Sequence, residues 1–507
     1  MQIRLYLFLC LILCVGSPMA QSRISITYSD TLQPLFHQLP DTVSVGDEKA
    51  AALKAEKILT ILEQHGYPFA EVRMKEKKTD TGITSCSDCD KTGKKRSSSN
   101  IMPDSLKMDI QLQVIANHYI VWDSIVVKGD AKISPKFLAP YLKIRKGKAY
   151  DEQLVQQSEK ALKALEYVTI LQPPKPSFTK DAAALYLYLN KKNANSFDGF
   201  VGFTSKENGQ GIQLYGQANL KIQNIFGHGE GFTACWNRLQ TNYQTLTLEI
   251  NYPCLFQTPF CLFGQFDMLR NDTNYYRISL PTGLRYLIKG NNYLQIQYRF
   301  ETGNQTGGTG SMAQKNYKIH NYGIGLYFRN IDDMQIPHKG YSWESSVETG
   351  KKLITDSSKT FSTWSGKCTG SLYLPFGKHW VQANRLLAGF ISDPQLFESN
   401  LFLMGGLHSM RGVNEQSLSA SAYCFVSEEI RFLLNDQFFF QLFVDGGWYE
   451  RKLTGSYHKD TPIGIGAGFS LLTQAGLLSM SYALAAHDNQ GFKFKSAKIS
   501  IGFNAFF

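Results

Sequence analysis

The chain closes on Lys498-Ile499-Ser500-Ile501-Gly502-Phe503-Asn504-Ala505-Phe506-Phe507, and this stretch decides the fold. Ile499, Ile501, Phe503, Ala505 and Phe507 alternate with Lys498, Ser500, Gly502 and Asn504. Successive side chains of a strand leave on opposite faces, so one face of this segment can meet lipid and the other a wet lumen. Back to Asn195 the same alternation recurs, cut by Gly, Asn, Asp and Thr turns and free of helical period. Strands are expected near 197–206, 211–223, 230–240, 243–254, 259–270, 273–287, 291–302 and 316–329. Eight more follow near 340–350, 360–374, 378–391, 418–433, 436–449, 461–472, 475–487 and 491–507. The total of sixteen is even, as a closed bacterial single-chain barrel requires. A soluble propeller would repeat a shared motif every ~40–50 residues, and none is visible.

Composition points the same way. The 507 residues include 33 Phe, 26 Tyr and 42 Gly with 43% hydrophobic residues, too apolar for a disordered chain. A helical membrane protein is excluded, because each span needs ~20 consecutive apolar residues. The net charge of +11 is spread along the chain. Only Lys91, Lys94, Lys95 and Arg96 cluster, inside a polar loop, so no nucleic-acid face is expected.

Residues 1–20 read as a signal peptide: Arg4, the apolar run Leu5 to Val15, then Gly16-Ser17-Pro18-Met19-Ala20. Leu13 before Cys14 is too bulky for lipoprotein cleavage. Beyond the signal, Cys86, Cys89, Cys235, Cys254, Cys261, Cys368 and Cys424 form no disulfide framework. Cys86 and Cys89 lack the two further ligands a zinc site needs, and the ten His do not cluster in sequence, so no metal site is expected.

Two small α/β modules precede the barrel. In 21–116, Ala51, Ala55, Ile58, Leu59 and Leu62 share one helical face between Asp47 and Gln64, and Gly66 with Pro68 ends that helix. Strands are expected over Phe69–Met74 and Leu106–Ile115, with a mobile polar insertion at 75–103. In 117–194, a strand over Tyr119–Lys128 leads through Gly129-Asp130 to Ser134-Pro135, an N-cap with proline at the first helical position. Lys146-Gly147 precedes a second helix burying Leu154, Val155, Leu162 and Leu165, and strands at Tyr167–Leu171 and Ala183–Leu189 close the module. The barrel takes 195–507.

These motifs resemble known ones. Val126-x-Lys128-Gly129-Asp130-x-x-Ile133-Ser134, with Lys146-Gly147-x-x-Tyr150 and Leu165-x-x-Val168, resembles a polypeptide-transport-associated (POTRA) domain. Gly66-Tyr67-Pro68-x-Ala70-x-Val72 resembles a shortened copy.

Within the barrel, alternation puts Asp445 on one face with Phe443, Gln441 and Phe439, and Glu429 on one with Arg431 and Ser427. Both faces read as lumenal. The loop 392–417 is long and carries Gly405-Gly406-x-x-Ser409-Met410-Arg411-Gly412-Val413. That segment resembles the Val-Arg-Gly-aromatic signature of the outer-membrane protein-assembly and two-partner-secretion transporter superfamily, the bacterial surface antigen family. Arg411 and Gly412 match; Met410 and Val413 stand where the family has Val and an aromatic. Glu429-x-Arg431 and Phe443-x-Asp445-x-Gly447 stand at its barrel-wall acidic motifs, and Asn224-x-Phe226-Gly227-x-Gly229 and Pro337-x-x-Gly340 at two of its turns.

The resemblance implies a membrane β-barrel of 16 antiparallel strands behind POTRA-like α+β periplasmic domains, in the bacterial outer membrane. It implies a loop folded into the lumen and locked by Arg411 and Gly412 against Glu429 and Asp445. Phe503 and Phe507 would form the insertion signal read by the outer-membrane insertion machinery. Implied partners are outer-membrane lipid and unfolded outer-membrane or secreted client proteins, handled by assembly, insertion or translocation, with no nucleic acid. The competing class is a passive outer-membrane pore or ligand receptor. No cofactor and no enzyme chemistry is expected, since no G-x-S-x-G, P-loop or H-E-x-x-H occurs. Gly464, Gly466 and Gly468 alternate on one strand face and read as small lumenal packing, and Gly307 to Ser311 as a flexible loop.

Overall fold

The computed structural model describes residues 23–35, 37–40, 43–45, 48–78, 108–205, 212–238, 243–271, 274–306, 315–407, 409–473, 475–488 and 490–506. The expected signal peptide, Cys86, Cys89, the Lys91–Arg96 cluster, Gly307 to Ser311 and Phe507 lie outside them. The chain divides into two compact units, 1–124 with 146–155 and 176–184, and 125–145 with 156–175 and 185–507.

The first sheet runs β2-β1-β4-β3, from β1 (Arg23–Tyr28), β2 (Val43–Val45), β3 (Glu71–Lys78) and β4 (Met108–Ile115), with β1 parallel to β4. Helix α1 (Glu48–Glu63) buries Ala51, Ile58 and Leu62 in a core with Ile24, Ile26, Ile110 and Leu112. Gly66 follows it at φ +95°, where a Cβ would lie 2.4 Å from the Tyr119 ring, so only glycine fits. Strand β3 runs to Lys78, four residues beyond Met74 and into the segment read as insertion. Full antiparallel pairing with β4 extends it despite its charged sequence.

Next come β5 (Val121–Lys128), α2 (Pro135–Tyr141), α3 (Glu152–Lys163), β6 (Val168–Phe178) and β7 (Ala182–Lys191), the strands ordered β5-β7-β6. Ser134 Oγ caps α2 by accepting the Lys136 N–H at 3.2 Å. Tyr150 is wholly buried and donates to the Glu152 carboxylate. Burial, then that carboxylate, holds its phenol well above the usual tyrosine range, so it stays a donor. Strand β6 continues past Leu171 through Pro173, Pro174 and Pro176. Proline cannot donate to a ladder, and an edge strand tolerates that.

The barrel strands are β8 (Ser196–Ser205), β9 (Ile212–Gln223), β10 (Gly231–Arg238), β11 (Tyr243–Tyr252), β12 (Phe260–Asn271) and β13 (Tyr275–Lys289). Then follow β14 (Asn292–Gln305), β15 (Tyr317–Ile331), β16 (Gly340–Ile354), β17 (Lys359–Phe376) and β18 (Trp380–Ser392). A short loop hairpin, β19 (Phe402–Met404) with β20 (Leu418–Ala420), precedes β21 (Ala422–Asn435) and β22 (Phe438–Leu453). The chain finishes with β23 (Ser456–Asp460), β24 (Ile463–Leu472), β25 (Gly476–Ala486) and β26 (Lys498–Phe506).

Without β19, β20 and the rim segment β23, sixteen antiparallel strands close the ring, as the alternation predicted. A closed ladder is what the membrane demands, since lipid offers no partner for an unpaired N–H or C=O. Lipid and lumen faces separate cleanly on β22: Phe440, Leu442 and Val444 are exposed, and Phe439, Phe443 and Asp445 are buried. Ile499, Ile501 and Phe503 of β26 point outward. The seam between β26 and β8 pairs only Ala505 with Phe197 and Phe506 with Ser196 among the described residues, whereas β25 and β26 pair over eight. No described helix is long and apolar enough to cross a membrane.

Within the second unit, the turn before α2 and the helix itself sit on the β9–β10 turn. Ser134 N–H donates to Gly227 O at 2.7 Å, and Asn224 Nδ2 to Lys132 O at 3.0 Å. A Cβ on Gly229 would lie 2.6 Å from the Phe137 ring, so this glycine is needed for close approach. Asn224-x-Phe226-Gly227-x-Gly229 is therefore a seat for α2. Tyr141 OH donates to Asn291 Oδ1 at 3.1 Å on the β13–β14 turn.

Candidate functional site

The loop leaving β18 returns into the barrel. Gly405, Gly406 and Gly412 take φ of +109°, +86° and +87°, a region closed to most side chains, and so let the backbone reverse. The wall it meets is laid out by strand register. Ser427, Asp445 and Gly464 lie side by side on β21, β22 and β24, and Glu429, Phe443 and Gly466 form the next row. A Cβ on Gly464 would come within 2.5 Å of Arg411 O, so the alternating glycines make room for the loop tip.

Arg411 directs four of its five guanidinium N–H donors at this wall. Its Nε donates to Asp445 Oδ2 at 2.7 Å and its Nη2 to Asp445 Oδ1, the bidentate geometry a guanidinium offers a carboxylate. Nη1 reaches Glu429 Oε1 at 2.6 Å, Nη2 also reaches Ser427 Oγ at 2.6 Å, and the backbone N–H reaches Asp445 Oδ2 at 3.0 Å. The Ser427 hydroxyl in turn donates to Asp445 Oδ1 at 2.6 Å. The guanidinium carbon lies 3.5 Å from the Phe443 ring centre, a cation–π contact. Arg411 is 5% exposed and Asp445 1%. Glu429 holds a second cation: Arg431 reaches its Oε2 at 3.0 and 2.8 Å.

Gly412 packs its backbone against β25, where a Cβ would lie 2.8 Å from Ala485 N. Met410 and Val413 sink into an apolar cluster with Met404, Leu418, Phe425 and Tyr449. The flexible Met410 side chain and the compact Val413 are both part of this cluster between loop and wall. Phe503 lies apart from this site, on the lipid face of β26.

Sequence reasoning missed the contacts of the first limb, 393–400. Lys352 is completely buried and donates to Asp393 Oδ2 at 2.8 Å, Gln395 O at 2.7 Å and Asn400 Oδ1 at 2.8 Å. Arg277 Nη1 reaches Ser399 O at 2.6 Å, Asn400 Nδ2 donates to Glu301 Oε1 at 3.3 Å, and Arg451 Nη2 reaches Glu398 Oε1 at 2.6 Å. The signal was parity: Lys352 shares the lumenal face of Glu348, but β16 had been expected to stop at Gly350. Beside this limb lies a polar chamber of about 650 Å³, lined by Asp267, Arg299, Glu348 and Lys367 among others.

At the rim opposite α2, two of the histidines read as unclustered converge on one acid. Asp488 lies 3.2 Å from His458 Nε2 and 3.1 Å from His487 Nδ1. With Asp460 these residues have the donor types of a metal site, but Asp460 and His487 are half-buried, Asp488 is exposed, and they are already paired with one another. Cys235, Cys254, Cys261, Cys368 and Cys424 are free thiols.

A closed sixteen-stranded barrel with an arginine-pinned loop inside it, preceded by small POTRA-like sheets, defines a class of outer-membrane protein rather than a plain pore. Residues 176–504 match the Omp85 superfamily domain, and the chain belongs to that superfamily. CdiB from Escherichia coli has a similar fold, with TM-score 0.60, 12% identity, and 97% of this chain and 92% of that one covered. CdiB from Acinetobacter baumannii gives 0.59, 13%, 97% and 91%. BamA from Haemophilus ducreyi lacking POTRA domains 1–3 gives 0.49, 14%, 96% and 100%. No curated protein sequence matches the chain. Family and fold place it in the bacterial outer membrane, among protein assembly and secretion-transport factors.

Proposed function

We propose that this protein takes unfolded client polypeptides at periplasmic N-terminal modules and passes them through or alongside its barrel, with the 393–421 loop as the movable plug. The observation that carries this reading is the Arg411 clamp: a passive pore has no use for a loop fixed across its lumen by a buried ion pair. Strand β3 supports the client step. Among the described residues it is a sheet edge of eight residues with one side unpaired, a template on which an extended client adds a strand. The two-pair seam supports passage alongside the barrel, because few hydrogen bonds need to break before β26 and β8 part. No nucleotide is required, since pairing unsatisfied backbone in lipid supplies the driving force.

The test places a photo-crosslinking residue at Arg73 on β3, with a control at Thr169 on β6, in the full chain. Clients should crosslink at Arg73 and not at Thr169, and Arg411→Ala should lower the yield of processed client while the β3 crosslink persists. No client at β3, or full processing by Arg411→Ala, would overturn the reading.

A further inference from the structure

The loop touches the barrel wall through two separate sets of charged contacts. Its tip, 405–413, is held by Arg411 on β21 and β22. Its first limb, 393–400, is held on β13 to β16, centred on Lys352, with one further ion pair from Glu398 to Arg451 at the end of β22. An ammonium group has three N–H donors, and all three of Lys352 end on this limb: a carboxylate, a main-chain carbonyl and an amide oxygen. The rings of Phe397 and Tyr317 flank the charge at 4.1 and 4.7 Å. Tyr317 in turn shares Ser399 Oγ at 3.1 Å and donates to Glu301 Oε1 at 3.1 Å, and Phe397 completes an apolar cluster with Ile319 and Ile354. The two clamps share no side chain. Between them stand Gly405 and Gly406, both at positive φ.

We propose that Lys352 is a second positioning residue of the plug, holding the first limb in place independently of Arg411, so that release of the tip swings only 405–417 about the glycine pair. The limb then remains a fixed partition of the lumen, and full clearance of the barrel requires both clamps to open. This rests on the plug reading of the loop given above. The limb's attachments span five strands, β13 to β16 and, through Arg451 and Glu398, β22, and include buried charge and apolar contacts, so it is the more firmly seated half.

Hydrogen–deuterium exchange of the full-length protein in detergent reads the two segments separately, in Lys352→Met, Arg411→Ala and the double variant. Lys352→Met keeps the side-chain length and removes the donors. It should raise exchange of limb peptides tenfold or more and leave tip peptides near the parent. Arg411→Ala should do the reverse, and the double variant should show both changes. Only the double variant should give a conductance in planar bilayers near that of a barrel lacking residues 393–420. Should Lys352→Met fail to assemble, Asn400→Ala removes one acceptor and leaves the ammonium paired to Asp393; it should loosen the limb alone by a smaller factor. A tip and limb that loosen together in either single variant would overturn the two-clamp proposal. These readouts involve no client, so two independent clamps with unaltered client processing in the double variant would refute the plug function and leave the clamp assignment standing.

Discussion

Replacing Arg411 with Ala isolates the cost of the tip clamp. The loss falls unevenly on its two partners. Glu429 keeps Arg431, whereas Asp445, 1% exposed, loses its only charged partner and retains the Ser427 hydroxyl and the backbone N–H of residue 411. Breaking a buried ion pair costs about 3–5 kcal/mol. The lower end applies here, because lumenal water can enter the space the guanidinium leaves. About 3 kcal/mol corresponds to roughly a hundredfold shift in the equilibrium between seated and released tip. Burial of Met410 and Val413 still opposes release, so the tip should be intermittently free rather than expelled. In planar bilayers this predicts a heat-modifiable, inserted barrel whose conductance flickers upward, with longer open times than the parent. Arg411→Lys should recover part of the parent behaviour, since a point charge cannot hold Asp445 bidentately. Arg411→Asp with Asp445→Arg should recover more than either single change if the contact is direct. An inserted Arg411→Ala barrel with parental conductance would refute the reasoning.

Three further outcomes follow from the same geometry. Glu429→Gln should loosen the tip less than Asp445→Asn, by at least threefold in open probability, because only Asp445 receives the bidentate contact; equal effects would show that the two acids share the clamp evenly. Gly464→Val keeps every charge but puts a side chain where Arg411 O now lies, so it should raise conductance as Arg411→Ala does, while Gly491→Val, which meets nothing within 4 Å, should not. Phe507→Asp, in the alternating sequence that follows Lys498, should leave unfolded chain outside the outer membrane, read by loss of the heat-modifiable band in membrane fractions.

Barrel architecture was legible because its cause is local. Lipid on one side and water on the other force a period of two, so each strand announces itself without its neighbours. The lumenal side of Asp445 and Glu429 could be read the same way. Strand ends could not: β16 runs on to Ile354, and β3 to Lys78, because pairing partners far along the chain extend them. The same limit concealed Lys352, whose acceptors are 41 to 48 residues away along the chain. Strand β1 was missed for a different reason. Ile24, Ile26 and Tyr28 alternate, but six residues beside an expected cleavage site carry too little pattern to separate from leader sequence. Convergence of His458 and His487 on Asp488 depends on two rim connections folding toward each other, which no sequence spacing records.

The three prolines of β6 have a consequence for the company this protein keeps. Donors alternate between the two sides of a strand, and Pro173 and Pro174 are neighbours, so at least one of the three prolines leaves a gap on the open side where an arriving chain needs a donor. Strand β3, with no proline, offers an unbroken row. A protein surrounded by loose strands faces a traffic problem, since every open edge is a place for cargo to stall or for two copies to zip together. If clients add to a sheet edge as proposed, β6 is the poorer template and β3 the better one.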